Sequence, residues 1–161
     1  VMIAMAIAND PVLLIADEPT TALDVTIQAQ VLELLAELKG RLNLAMIFVS
    51  HSLPVVADVA DRVMVMYAGE VVEEGPAAAL FHRPRHPYTA GLLAAAPRLD
   101  RAGAPAVVLR DEIPSPADPP SGCVFRTRCP FVLDACAGTV PQPRPLGPGH
   151  QMACIRDDLR F

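Results

Sequence analysis

One short segment constrains the fold more than any other: an apolar run that ends in two adjacent carboxylates. Residues 12–16 are V-L-L-I-A, and Asp17, Glu18 and Pro19 follow at once. The run is too short and too uniformly apolar for an amphipathic helix, so it predicts a strand buried on both faces of a parallel sheet. Such a strand delivers both acids to the carboxyl edge of an α/β sheet, where ligands bind. Adjacent carboxylates there are costly unless a cation or a reaction needs them.

Alternating helix and strand patterns predict an α/β fold with a mostly parallel sheet, finished by an antiparallel pair. Apolar residues at three- and four-residue steps after Val25 give one helical stripe, which Gly40 is placed to end. Ala68-Gly69, between two strand-like runs, predicts a hairpin turn. The predicted elements are a fully buried helix 1–8, strand 12–16, helix 25–39, strand 45–50, helix 54–60, strands 62–67 and 70–74, and a small helix ending near Phe81.

The composition changes after Phe81. A basic, proline-interrupted stretch is followed by a short helix over 88–96, and most of the 17 prolines lie from Pro97 onward. Proline removes backbone donors, so this tail is expected to be mostly loop, with a linker over 97–120. The chain therefore divides into an α/β part, 1–82, and a loop-rich extension, 83–161.

Length and charge exclude several classes of protein. With 161 residues there is room for one domain, or for part of a domain plus an appendage. The net charge of −5 argues against a nucleic-acid surface, which would show a basic patch. The apolar run at 1–8 is too short to span a membrane, which takes about twenty residues. It also lacks the features of a signal peptide.

Two motifs together resemble ABC-type ATPases. Asp17-Glu18-Pro19 followed by T-A-L-D at 21–24 resembles the Walker B motif and D-loop, and a second apolar strand ending in Ser50-His51 resembles the switch-histidine strand. Alone, the first motif also fits a polar turn after a strand, and a single histidine there is often structural. The combination favours a functional interpretation.

The resemblance implies a role for each residue. Asp17 is expected to bind Mg²⁺ through water, and Glu18 to activate the attacking water. His51 is expected to sense the γ-phosphate of ATP, and Asp24 to lie at the interface of two ATPase subunits. The phosphate loop G-x-x-x-x-G-K-[ST] is absent from the sequence. We therefore expect the chain to be the C-terminal part of a longer ATPase, inactive by itself.

All four cysteines lie in the extension, with the spacing C-x5-C-x6-C-x17-C: Cys123, Cys129, Cys136 and Cys154. A disulfide is disfavoured in a cytosolic protein. Structural zinc usually shows tight C-x2-4-C pairs, whereas iron–sulfur clusters tolerate varied spacing. The spacing leaves zinc and iron–sulfur open, with inert cysteines a third alternative. Arginines close in sequence could offset a cluster's negative charge: Arg126, Arg128 and Arg156.

The extension is similar to the C-terminal region of oligopeptide/dipeptide importer ATPase subunits. The resemblance rests on H-P-Y-T at 86–89, E-I-P-S-P at 112–116 and P-S-G-C at 120–123. It implies a [4Fe-4S] cluster on the four cysteines. His86-Pro87-Tyr88 itself is interpreted as a helix start, with Tyr88 packed on the ATPase part.

The expected function is therefore ATP hydrolysis that drives peptide import. The resemblance implies a peripheral subunit on the cytoplasmic face of a bacterial inner membrane. Its expected partners are a second ATPase subunit, identical or not, and transmembrane permease subunits, with no nucleic acid. Three alternatives remain open: a nickel importer subunit, a non-transport ABC ATPase, and a redox or iron sensor built on the cysteines.

Overall fold

The computed structural model describes residues 1–96, 109, 112–115 and 117–161. These residues form two compact units, Val1–Ala60 and Asp61–Phe161. The predicted linker over 97–120 lies largely outside the described residues.

The first unit is a two-stranded parallel sheet with three helices. Its elements are α1 (Met2–Ile7), β1 (Leu13–Asp17), α2 (Val25–Leu42), β2 (Ala45–Val49) and α3 (Leu53–Val59). Strands β1 and β2 pair in parallel from Leu13 opposite Ala45 to Asp17 opposite Val49. The predicted order of elements and the parallel pairing are confirmed.

The core of this unit covers only one face of the sheet. It is built on Leu14, Leu35 and Leu44, with four partly buried residues packed against them: Ile3, Val31, Met46 and Phe48. On the other face Leu13 and Ile15 are 44% and 64% exposed. The prediction of a strand buried on both faces is wrong within the described residues, because α2 supplies a packing layer on one side only.

Two further predictions about the first unit are corrected. The helix at the start of the chain exists, but none of its residues is buried. Helix α2 does not end at Gly40: it continues to Leu42, and Asn43 adopts the left-handed conformation with φ 51°. Asparagine tolerates this conformation better than most residues, so it ends the helix where the chain must turn into β2.

The second unit is built on a four-stranded antiparallel sheet. Its elements are β3 (Arg62–Tyr67), β4 (Glu70–Pro76), α4 (Ala77–His82), α5 (Pro87–Ala95), a 3-10 helix (Asp134–Ala137), β5 (Arg144–Gly147) and β6 (His150–Met152). The strand order is β3-β4-β6-β5. The predicted hairpin is confirmed. Its turn residues Ala68 and Gly69 both have positive φ, as a two-residue hairpin turn requires.

The extension contributes two strands that the sequence pattern did not predict. Strand β6 pairs with β4, placing Met152 opposite Glu73 and Gln151 opposite Glu74. The extension therefore completes the sheet that the hairpin begins. Pro145 and Gly147 disfavour a strand in the sequence pattern of β5, and pairing with β6 overrides this local preference.

Aromatic side chains form the core of the second unit. The Tyr67 ring packs edge-on against Tyr88 and Phe125, with ring centroids 4.8 and 5.1 Å apart. Such contacts contribute about 0.5–1.5 kcal/mol each beyond area burial. His86 caps α5 and Pro87 is its first residue. The expected helix start at His-Pro-Tyr, with Tyr88 packed on the preceding part, is confirmed.

A buried carboxylate joins the extension to the hairpin. Glu73 is 0% exposed. Its Oε1 accepts a hydrogen bond from the backbone N–H of Arg85 and lies 2.8 Å from His150 Nε2, and its Oε2 accepts from the backbone N–H of His86. A buried carboxylate is tolerated only when its oxygens are satisfied in this way. Glu73 thereby ties β4, the start of α5 and β6 together.

Candidate functional site

The carboxyl ends of β1 and β2 bring the predicted hydrolysis residues together. Asp17 ends β1 opposite Val49 at the end of β2, so the residues that follow the two strands share one edge. Glu18 Oε1 lies 2.9 Å from His51 Nδ1, across 33 residues of sequence. The side chains of Glu18 and His51 are 41% and 76% exposed, so this pair is open to a ligand.

The backbone holds Glu18 in an uncommon conformation. Its φ is 44°, a region that residues other than glycine rarely adopt. The backbone N–H of Glu18 donates to Val49 O at 2.9 Å, and its carbonyl accepts from the backbone N–H of Thr21 at 3.1 Å. Strained residues of this kind cluster at functional sites. The turn directs the Glu18 side chain towards β2 and its following loop.

Both carboxylate oxygens of Glu18 have a partner. Thr21 Oγ1 donates to Oε2 at 2.6 Å, and His51 Nδ1 faces Oε1. The Thr21 hydrogen bond, followed by the His51 hydrogen bond, lowers the pKa of Glu18 below its usual value. The carboxylate is thus ionised and oriented. Thr21 was not among the predicted site residues. Its position three residues after Glu18, within a tight turn, could have indicated that its hydroxyl reaches the Glu18 carboxylate.

Asp17 and Asp24 lie at the two ends of the same turn. Asp17 is exposed at the end of β1. Asp24 is the N-cap of α2, and its Oδ1 accepts the backbone N–H groups of Thr26 and Ile27 at 3.0 Å each. Such a cap satisfies helix donors that would otherwise lack partners. Asp24 therefore has a local structural task besides the interface role expected from the resemblance.

The four cysteines form one neighbourhood in the second unit. All four are free, with Cys123 and Cys136 buried and Cys129 and Cys154 half-buried. Burial raises the pKa of the Cys129 thiol to about 11, with smaller contributions from the other three thiols. The backbone N–H of Cys123 donates to Cys136 O at 2.9 Å. The fold therefore gathers residues that are up to 31 positions apart in sequence.

Burial and nearby backbone N–H groups act on the pKa of the cysteine thiols in opposite directions. Burial raises the pKa of Cys123 and Cys154, and N–H groups lower it: those of Phe125 and Arg126 for Cys123, and that of Arg156 for Cys154. The N–H of Phe131 acts in the same way on Cys129. Leu133 N–H donates to Cys136 Sγ at 3.4 Å. Donors aimed at sulfur stabilise a thiolate, the form that binds metal.

The part of the chain that the structure describes shows no preformed metal site at these thiols. Among the described residues, no group of three or more His, Cys, Asp or Glu side chains is arranged so that it could hold a metal ion. Of the arginines predicted to offset a cluster's charge, Arg156 lowers the pKa of the Cys154 thiol through its positive charge. Arg126 instead donates a hydrogen bond to Ser121 O at 2.8 Å. The positive charge of Arg144, which was not among the predicted arginines, also lowers the pKa of the Cys154 thiol.

Comparison with known proteins agrees with both halves of the chain. Residues 72–136 match the family model described as oligopeptide/dipeptide transporter, C-terminal region. A putative peptide import ATP-binding protein of Brucella ovis is 54% identical over 158 residues, which cover 98% of this chain and 50% of that protein. The dipeptide transport ATP-binding protein DppD of Escherichia coli K12 is 51% identical over 154 residues, 96% of this chain and 47% of its own length.

The resemblance to ATP-binding subunits of peptide importers is thereby confirmed along nearly the whole chain. The chain spans about half the length of the curated relatives that it matches. In the part of the chain that the structure describes, no helix has both the length and the apolar character needed to cross a bilayer.

Proposed function

We propose that this chain is part of the ATP-hydrolysing subunit of an ABC importer for peptides. The observation that carries the proposal is the Glu18–His51 pair, 2.9 Å apart at the ends of two adjacent parallel strands. A charged, oriented carboxylate beside an imidazole suits the activation of water next to a phosphate. The similarity to peptide import proteins supplies the substrate class.

The residues of the first unit have distinct roles in this proposal. Asp17 is exposed at the sheet edge, where it would hold Mg²⁺ through water; the ion neutralises charge on the phosphates of ATP. Glu18 accepts a proton from the attacking water, and Thr21 keeps its carboxylate turned towards His51. His51 donates to the γ-phosphate and stabilises the charge that develops during transfer.

The assembly follows from the same roles. Asp24 begins α2 at an exposed turn, where a second ATPase subunit, identical or not, would contact the D-loop. Transmembrane permease subunits would couple hydrolysis to transport. We place the subunit on the cytoplasmic face of the inner membrane, as a peripheral protein. We keep the predicted division of the chain into two functional parts. Residues 1–82 carry the hydrolysis motifs, and residues 83–161 carry the four cysteines.

We assign the four cysteines to a [4Fe-4S] cluster in preference to zinc. A single Zn²⁺ binds sulfur at about 2.3 Å and so needs its ligands drawn tightly together. The sequence has no tight C-x2-4-C pair of the kind that zinc sites usually show, whereas iron–sulfur clusters tolerate varied spacing. Cys123, Cys129, Cys136 and Cys154 would be its ligands.

The test is Glu18→Gln in the full-length protein. We expect ATP to bind normally and turnover to fall by at least about a hundredfold, because the amide cannot accept the proton of water. Glu37→Gln is the matched control: Glu37 is an exposed carboxylate on α2 that pairs with Arg41. Near-normal turnover of Glu18→Gln would remove Glu18 from its role. The 161-residue chain by itself, without the phosphate loop, is expected to hydrolyse no ATP.

A further inference from the structure

The turn that follows β1, residues 18–24, binds the Glu18 carboxylate from within. Thr21 lies in this turn, and its hydroxyl Oγ1 donates to Glu18 Oε2 at 2.6 Å. The backbone N–H of Thr21 also donates to Glu18 O at 3.1 Å, so the two residues are joined through both backbone and side chain. A hydroxyl bonded to an ionised carboxylate makes a charge-assisted hydrogen bond, about twice as strong as a neutral one.

The backbone of the 18–24 turn is fixed at both ends. At its start, the N–H of Glu18 donates to Val49 O at 2.9 Å, which ties the turn to the end of β2. At its end, Asp24 Oδ1 accepts the N–H groups that begin α2. Between these points Ala22 has a φ of 65°, in the left-handed region that residues other than glycine rarely adopt. The position of the Thr21 hydroxyl therefore depends on the conformation of the whole turn.

Thr21 is the partner that the turn itself supplies to the carboxylate. The other partner, His51, comes from the segment after β2, and its side chain is 76% exposed. The Glu18 side chain is flexible and 41% exposed, so it has room to turn away from His51 once the Thr21 bond is lost. The same hydroxyl makes the largest contribution to the lowered pKa of Glu18, so it also favours the charged form of the carboxylate.

We propose that Thr21 is a positioning residue through which the 18–24 turn controls hydrolysis: its hydroxyl holds the Glu18 carboxylate against His51, and displacement of the turn releases it. The inference rests on the role of Glu18 proposed above and extends that role to regulation. Asp24, where a second ATPase subunit is proposed to bind, lies three residues beyond Thr21. A contact there that moves the turn changes the orientation of the carboxylate, and a misplacement of about 1 Å can lower a rate about a hundredfold.

The first experiment removes the hydroxyl and keeps the shape of the side chain. In full-length Thr21→Val we expect kcat for ATP hydrolysis to fall about tenfold or more with little change in KM. The acid limb of its pH profile should move to higher pH, because loss of the bond raises the pKa of Glu18. Thr21→Ser, which restores the hydroxyl, should keep most of the activity.

The matched control is Thr26→Val, the same change at an exposed threonine in the first turn of α2, joined to Asp24 through its backbone N–H. It should match the original protein in kcat and pH profile. An original kcat and pH profile in Thr21→Val would overturn the inference. So would a loss in Thr21→Val that Thr21→Ser fails to restore, because the hydroxyl would then not be the group that acts.

A second experiment tests whether the hydroxyl acts through Glu18. In single-turnover measurements, adding Thr21→Val to Glu18→Gln should cause no further loss, since the group that the hydroxyl positions has already been removed. A further loss equal to that of Thr21→Val alone would overturn the inference. Near-normal turnover in Glu18→Gln itself would overturn the hydrolysis proposal and this inference with it, whereas a loss in Glu18→Gln beside an unaffected Thr21→Val would overturn this inference alone.

A third experiment displaces the turn without changing either partner of the bond. Glycine adopts the φ of Ala22 freely and a β-branched residue does not, so Ala22→Val should lower turnover while Ala22→Gly retains it. If the turn acts through the hydroxyl, Ala22→Val combined with Thr21→Val should lose no more than the larger of the two single losses. Additive losses would overturn the control of Glu18 by the turn.

Discussion

At the scale of single residues, the two contacts of the Glu18 carboxylate matter most for the proposed reaction. One oxygen accepts from Thr21 and the other faces His51, so the side chain has a defined orientation before any ligand binds. Such preorganisation lowers the cost of orienting groups during the reaction. The left-handed backbone at Glu18 is part of the same arrangement, because it turns the chain at the end of β1.

His51 provides a prediction that separates a catalytic from a structural histidine. Its side chain is 76% exposed, so His51→Ala removes little packing. We expect the melting temperature of the full-length variant to stay close to the original value, while ATP turnover and transport are lost. Thermal unfolding and a phosphate-release assay measure the two effects. A large drop in stability with turnover retained would mean that His51 serves the fold.

His86 provides a prediction about pH. Burial lowers its pKa from 6.5 to about 4, and its Nδ1 accepts the N–H of Tyr88, a bond that protonation would break. Between pH 6.5 and 4 the unfolded chain takes up a proton that the folded protein excludes, so stability falls as pH falls through this window. The full loss is about 3 kcal/mol.

The variant His86→Asn tests this directly. Asparagine keeps a cap acceptor for α5 but has no titrating ring. Denaturant unfolding at pH 7 and pH 4.5 should show a smaller difference in unfolding free energy for the variant than for the original protein. The same difference in both proteins would assign the acid sensitivity to other groups.

At the scale of elements, Gly122 controls the approach of two cysteine loops. Its φ is 68°, and a Cβ there would lie 2.3 Å from Cys136 O. Gly122→Ala is therefore expected to disrupt the backbone bond from Cys123 N–H to Cys136 O and to lower metal content. Gly138→Ala is the matched control, since a Cβ at Gly138 meets nothing within 4 Å. Iron content and thermal unfolding measure both; equal behaviour of the two variants would contradict the prediction.

Because β6 pairs with β4, the end of the extension should keep its structure when the metal is removed. The backbone N–H of Ala153 donates to Val72 O at 2.9 Å, and Glu73 holds His150, so this part has its own attachment to the sheet. The cysteine loops around the 3-10 helix depend instead on short turns. The two parts of the extension should therefore respond differently.

At the scale of the whole molecule, hydrogen exchange after metal removal tests this difference. We expect amides in 123–136 to exchange faster once the metal is removed, while those of 150–153 keep their protection. The measurement is amide exchange followed by mass spectrometry on loaded and metal-free full-length protein. Uniform acceleration up to residue 153 would show that the metal, rather than the sheet, holds the extension.

Some features of this protein followed from the sequence alone because they depend on neighbours along the chain. The apolar run before Asp17, the helical stripe of α2 and the turn at Ala68-Gly69 are local patterns, and each gave the predicted kind of element, although α2 runs on to Leu42. The placement of Glu18 at the carboxyl edge of a parallel sheet also followed, because the apolar run that ends just before it forms a parallel strand. The Cys-rich region was visible from spacing, although its ligand was not.

Other features were decided only by tertiary structure. Burial on one face of β1 depends on which layer packs against it, and strands β5 and β6 exist because β4 offers an edge to pair with. The same holds for Arg144, whose two carbonyl partners lie 10 and 12 residues away. Sequence patterns report local preference and periodicity, whereas these contacts depend on distant segments meeting in space, where pairing and burial outweigh local preference.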